Sequence, residues 1–244
     1  MTLIRKLKKL VSPLSNTPIH PQWIVSSNSH HLLTTLKQIK NNSTILDIGC
    51  YSKWPQKVIP DNCRYIGLDY YETAKNWYQS IPDLYGDALS LPIKKNSIDI
   101  ILLLDVLEHL PDTQKVLEET NKVLKDNGEL IIQVPFLYPL HDEPRDYYRF
   151  TKHGFKILAE KNNFKLIECK AIGQPIETSA LLTNLALVKS GLNLITSKNP
   201  LMIITILFPF FILINNLLAK AFSFISDKEQ FMPYSYLVIL KKTE

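Results

Sequence analysis

From Thr44 onward, short apolar runs alternate with amphipathic stretches. TILDIG, RYIGLD, IDIILLLD and ELIIQV are strand-length, rich in β-branched and aliphatic residues, and bounded by polar residues or glycine. That pattern predicts strands. A short third strand fits before GDAL, FKLIECKAIG predicts a sixth strand and SYLVILKK a seventh. Between the strands lie helical patterns. Leu32, Leu33, Leu36 and Ile39 recur at helical spacing behind a possible cap at Ser27, Asn28 or Ser29. Asp112 can cap a helix that turns Val116, Leu117, Thr120, Val123 and Leu124 to the sheet and ends at Asn127-Gly128, and another is predicted from Thr151 through Phe155, Ile157 and Leu158. Such alternation implies a parallel sheet covered by helices.

Two segments break the alternation. Residues 1–11, MTLIRKLKKLV, put Leu3, Ile4, Leu7, Leu10 and Val11 at helical spacing with four basic residues between them, which predicts a basic amphipathic helix that Ser12-Pro13 ends. It lacks the continuous apolar core of a signal peptide. Before the last strand, residues 199–218 carry no charge between Lys198 and Lys220. A helix of that length just spans a bilayer core of ~30 Å. Pro200, Pro209, Asn215 and Asn216 make it a poor span, and a last strand that pairs with the same sheet excludes an odd number of crossings. The insertion is therefore expected to lie in the membrane interface or to dip in and return, with the basic helix as a second anchor. Packing on the sheet or a dimer interface is the rival reading.

Composition changes this picture little. With 45% apolar and 21% charged residues among 244, the chain can bury a full core. A net charge of +5 without a nucleic-acid motif gives no case for DNA or RNA as partner. Cys50, Cys63 and Cys169 lack the spacing of a zinc site or disulfide framework and read as reduced, cytosolic thiols.

The chemistry gathers at strand ends. Asp47 and Gly49 end the first strand, Asp69 the second, Asp87 follows the third and Asp105 ends the fourth. A doubly wound sheet opens its ligand crevice there, and a carboxylate after the second strand can accept from both hydroxyls of a ribose. A nicotinamide site needs G-x-G-x-x-G after the first strand, which Tyr51, Lys53 and Trp54 do not supply.

In this order, ILDIGC, GLDY, GDALSLPIKKNSIDIILLLDVLEHLPD and VLKDNGELIIQVPF resemble the successive motifs of class I S-adenosylmethionine-dependent methyltransferases, of the type 11-like subgroup. FLYPLHDEPRDYYRFTKHGF resembles a segment of a bacterial subgroup often associated with cell-surface glycan or lipid-linked sugar pathways, which extends the likeness to about Gly173. The resemblance implies an α/β, Rossmann-like, seven-stranded and mostly parallel sheet with helices on both faces, an antiparallel last strand and an apolar helical insertion before it. The organisation is then 1–22 as basic helix and linker, 23–173 plus 233–244 as the methyltransferase domain, and 174–232 as the insertion.

By position, the resemblance implies that Asp47, Gly49 and Cys50 line the methionine moiety of S-adenosylmethionine, that Asp69 holds the ribose and that Tyr70 flanks the adenine. Asp87 would meet the adenine amine beside Ala88 and Leu89, Asp105 and Val106 would lie near the methionine, and His109 would close the pocket. One departure stands out: Tyr51 occupies the place of a second family glycine, where it needs a negative φ or must accept strain. In HDEPRDYYRF, His141 is the first candidate base, since imidazole titrates near neutrality, with Asp142 and Tyr147 beside it and Tyr148 and Arg149 as substrate contacts. The alternative is a folded lid in which Arg145 and Arg149 pair with Asp142, Glu143 or Asp146.

Methyl transfer itself requires no metal. The expected protein is a cytosolic, membrane-associated enzyme acting on an amphiphilic or glycan acceptor. A quinone-precursor or small-molecule acceptor, or a scaffold that keeps the fold without turnover, are the rivals.

Overall fold

The computed structural model describes residues 12–223, 225 and 231–243; the basic helix expected over 1–11 lies outside them. The described residues form two compact units, one within residues 31–136, 140–171 and 235–243, the other within residues 12–30, 137–139 and 172–234.

The first unit is built on a seven-stranded sheet of order β3-β2-β1-β4-β5-β7-β6. Its strands are β1 (Thr44–Ile48), β2 (Arg64–Asp69), β3 (Leu84–Tyr85), β4 (Ile98–Leu104), β5 (Leu124–Pro135), β6 (Phe164–Ile172) and β7 (Ser235–Lys242). β1 pairs in parallel with β2 and β4, β2 with β3, and β4 with β5, while β7 lies antiparallel to β5. β4 is buried along nearly its whole length, as its unbroken aliphatic run dictates. Leu46, Ile48, Ile101, Leu103, Leu130, Ile132, Val238 and Leu240 form the core with Phe155, Val116 and Leu117.

The cap at Asp112 forms as expected, its side chain accepting from the Lys115 N–H, and Thr151 caps the helix Lys152–Lys161 through Gly154. The first of these helices, Thr113–Val123, stops short of Asn127-Gly128. Leu124 already pairs with Ile98, and the register slips before Glu129 meets Ile100, with Asn127 at φ 62° taking up the irregularity. The expected helix end is therefore a bulge inside β5. Ile157 is exposed, so that helix buries Phe155 and Ala159 instead.

In the second unit, helix Pro175–Thr196 pairs with helix Phe208–Phe222, which a 3-10 stretch, Pro200–Leu207, precedes. The polar residues of the second helix turn inward. Asn216 donates to Pro18 O and His20 O and accepts from Asn184 at 2.8 Å, Asn215 donates to Ala180 O and Asn184, and Lys220 reaches Glu177 Oε1 at 2.9 Å and Asn28 Oδ1 at 3.0 Å. The outward face is apolar: Leu201, Ile203, Ile206, Leu207, Phe210 and Phe211 are exposed. Over Pro200–Phe222 the mean hydropathy reaches 2.4 while only 11% of the most apolar window is buried.

Candidate active site

The first unit holds a cavity of about 710 Å³ at the carboxyl ends of β1, β2 and β4, within the size range of small-molecule sites. The chain crosses there from β3 at one edge back to β4 on the other side of β1, the switch point at which open α/β sheets bind ligands.

The turn after β1 has one solution at Gly49. Its φ is +75°, and a Cβ would stand 2.5 Å from Val106 Cγ2, so both backbone and space demand glycine. Two residues on, Tyr51 sits at φ 40°. It accepts the strain that the sequence flagged, about 1–2 kcal/mol for an L-residue. In return its backbone N–H donates to Asp69 Oδ2 at 3.2 Å, and its ring packs edge-on against Tyr78 with centroids 4.8 Å apart. Cys50 lines the cavity but is otherwise buried, with Sγ set against Gly67. Burial, with Asp47 and Asp69 nearby, pushes its thiol up to about 12, so it is packing and not a nucleophile.

Among the strand-end carboxylates, Asp69 is the one that two backbone donors hold. Nearly buried, it accepts from Tyr51 N–H on one oxygen and from Tyr70 N–H, at 2.8 Å, on the other. Burial raises its pKa and these two donors oppose the rise. A carboxylate so fixed keeps lone pairs for a vicinal diol without having to reorient. Asp47 accepts from the Tyr65 hydroxyl, and burial pushes its carboxyl up to about 7. Asp87 accepts the Leu89 N–H at 2.8 Å, which shapes the wall that Gly86, Ala88 and Leu89 continue. Asp105, at φ 55°, is held by Gln133 Nε2 at 3.0 Å, and Val106 completes the floor under Gly49. Tyr70 and His109 also line the cavity.

The HDEPRDYYRF segment is a folded lid organised on Asp146. This buried carboxylate takes both terminal nitrogens of Arg149, at 2.6 and 2.7 Å, and the backbone N–H of His141 at 2.9 Å. Burial works against the charge, but the Arg149 hydrogen bonds and His141 hold the carboxyl down to about 2. Arg145 reaches Glu72 and lies over the Trp77 ring. His141, Asp142 and Tyr147 line the cavity, with Tyr78 donating to Asp142 at 3.1 Å. Tyr148 and Arg149, expected to contact substrate, are not among the described lining residues. The Tyr148 hydroxyl donates to Pro111 O and the Arg149 guanidinium is spent on Asp146.

Trp54, Glu72, Thr73, Trp77 and Tyr78 also line the wall, beyond the residues expected from the motifs. The last three sit on or beside a π-helical stretch, Thr73–Tyr78, whose wide turn no simple periodicity reveals. The aromatic run YYETAKNWY after β2 was the available signal.

Comparison with known proteins bears on the fold and the domain. Residues 46–132 match the model of the methyltransferase domain. Over 96 residues, 37% of each chain, the protein is 29% identical to a probable S-adenosylmethionine-dependent methyltransferase of Mycolicibacterium smegmatis. It is 28% identical over 131 residues to the sterol 24-C-methyltransferase of Kluyveromyces lactis, covering 49% of this chain and 35% of that one. The matches thus span little more than a third of these curated relatives. In fold, the chain is similar to a chain of the solved complex between the Haloferax volcanii Trm112 methyltransferase activator and a methyltransferase, with a TM-score of 0.56, 16% identity, and 92% and 94% of the two chains covered.

The fold is that of class I S-adenosylmethionine-dependent methyltransferases. Residues 46–132 match the methyltransferase domain, and this match, the fold and the named relatives imply S-adenosylmethionine as the cofactor. The cavity suits it: an apolar wall of Ala88 and Leu89, an aromatic edge at Tyr70 and a pre-fixed acceptor at Asp69 meet the demands of a nucleoside, and buried carboxylates near Gly49 suit a cation.

Proposed function

We propose that the protein methylates an acceptor presented at a membrane, of the lipid-linked or cell-surface glycan class. The observation that carries the acceptor class is the inverted amphipathicity of the second unit: its asparagines and Lys220 are consumed inside while a continuous row of aliphatic and aromatic side chains faces out. A surface of that size and composition needs a cover, and a bilayer interface supplies one without requiring a span. Sterol methyltransferases among the relatives act, by name, on a lipid, which favours the same direction.

Bound S-adenosylmethionine supplies an electrophilic methyl carbon. The chain contributes alignment and a dry wall. Asp69 orients the nucleoside end, Gly49 and Val106 set the depth at which the methionine end lies, and Ala88 and Leu89 exclude water from the ring. The corner formed by His109, His141, Asp142 and Tyr147 lies on the lid side and is where an acceptor's proton leaves.

The test incubates the full chain with isotopically labelled methyl donor and lipid and glycan extracts, with and without vesicles containing anionic lipid. Label in an organic-extractable or lipid-linked species, together with co-sedimentation on vesicles, is the expected result. Label only in a water-soluble small molecule, with no vesicle binding, contradicts it.

A further inference from the structure

The lid and the 3-10 turn Leu107–His109 that follows β4 bring together three residues, of which the methyl-transfer reading leaves Glu108 unused. Glu108 is fully buried, and among the described residues neither carboxylate oxygen has a hydrogen-bond partner. The N–H groups of Tyr147 and Tyr148 donate to the Glu108 backbone carbonyl, not to its side chain. A buried carboxylate without donors costs several kcal/mol and calls for an explanation.

Two imidazoles converge on it. His109 Nε2 is 3.7 Å and His141 Nε2 3.8 Å from the same oxygen, Glu108 Oε1. The far side of each ring is matched to an acceptor. His109 Nδ1 lies 2.8 Å from the Arg145 carbonyl, which can only accept, so the proton is on Nδ1. His141 Nδ1 lies 3.2 Å from the Asp146 carboxylate. The Nε2 atoms of both rings face Glu108 Oε1. The three ligand atoms lie within 4.8 Å of one another.

Two imidazoles and a buried carboxylate form a ligand set for a cation. The two imidazole–carboxylate separations exceed by a few tenths of an ångström the about 3.3–3.5 Å that two donors subtend around a tetrahedral ion with ~2.0–2.1 Å bonds, and the imidazole nitrogens lie within 4.8 Å of each other, so the rings turn toward one another to close on an ion. Asp146 and the Arg145 carbonyl are the outer partners that metal-bound histidines characteristically have. His109 and His141 both face the cavity, whereas Glu108 lies behind them.

We propose that Glu108, His109 and His141 form a binding site for one divalent transition cation of the zinc class, with a remaining coordination position open to the cavity. Two imidazoles and a carboxylate suit such an ion and not magnesium or calcium, which prefer all-oxygen shells. This departs from the sequence expectation of no metal, and it reassigns His141 from base to ligand. An ion there would hold an acceptor oxygen and ease loss of its proton; that consequence rests on the methyl-transfer reading, whereas the site does not.

The full chain, stripped with a chelator, is titrated with Zn²⁺ by calorimetry and with Co²⁺ by visible absorption. Saturation at one ion per chain, ligand-field bands of a nitrogen and oxygen site, and at least about tenfold weaker binding in Glu108→Gln and His141→Ala are expected. Absence of saturable binding, or equal affinity in wild type and both variants, overturns the site. His141→Ala decides the matter if the buried Glu108→Gln chain does not fold. S-adenosylmethionine binding is measured on the same stripped protein: cofactor binding without metal binding defeats the site alone, and metal binding without cofactor binding defeats the transfer reading alone.

Discussion

Asparagine at position 47 removes a titration while keeping shape. Asp47 is buried at the end of β1 and accepts from the Tyr65 hydroxyl, which an amide oxygen can also satisfy. Burial, reinforced by Asp69, lifts the carboxyl from 3.8 to about 7. Because the folded-state value lies above the unfolded one, the fold prefers the neutral acid. The associated stability is complete below the unfolded pKa and is lost as pH rises through the folded one. A rise of about three units corresponds to at most about 4 kcal/mol. Urea unfolding of the ligand-free chain at a series of pH values between about 4 and 8 measures it. Relative to wild type, Asp47→Asn is expected to gain stability steadily across that window, by an amount on the order of 4 kcal/mol. A difference between the two proteins that stays flat with pH would refute the reasoning. A second consequence is linked to the first: a ligand carrying positive charge next to Asp47 favours its ionised form, so wild-type affinity for the cofactor should rise through pH 7 and that of Asp47→Asn should not.

Gly49→Ala combines a left-handed backbone with a Cβ 2.5 Å from Val106. The two effects together are worth about 2–4 kcal/mol, read as a lower denaturation midpoint with weaker cofactor binding, and an unchanged midpoint would contradict the placement of that turn. Lys220→Met strips the cation from buried Glu177 and leaves it Asn28 and the Gln174 N–H. The loss is expected at about 2 kcal/mol, since the lysine end is partly solvated, and Glu177→Gln in the same chain should recover most of it in urea unfolding.

Much of this architecture was legible because its determinants are local. The aliphatic run of IDIILLL can only be a strand buried on both faces, Asp112 and Thr151 announce their helices, and four carboxylates at successive strand ends mark the crevice. What escaped depends on partners distant in sequence or on departures from regular geometry. The end of helix Thr113–Val123 was misplaced because Asn127-Gly128, a good helix terminator, serves equally well at a bulge in β5. Asn215 and Asn216 read as flaws in a membrane helix, whereas they are the pins that hold its polar side inward, through residues 31 to 198 positions away. Arg149 read either as a substrate contact or as the partner of an acidic neighbour, and the burial of Asp146, which favours the pair, has no local sign in the sequence. Glu108 and His109 read as one helix turn, and the third member of their cluster arrives from a lid 32 residues on.

Calorimetric titration of the full chain with S-adenosylmethionine and with its demethylated product tests whether the strand-end cavity holds the cofactor through Asp69. One saturable site is expected, weakened on the order of a hundredfold in Asp69→Asn, because the amide can no longer accept both backbone N–H groups and the ribose hydroxyls, each charge-assisted bond being worth ~1.5–3 kcal/mol. A folded wild-type chain that takes up neither compound, or an Asp69→Asn chain that binds as tightly as wild type, would contradict it.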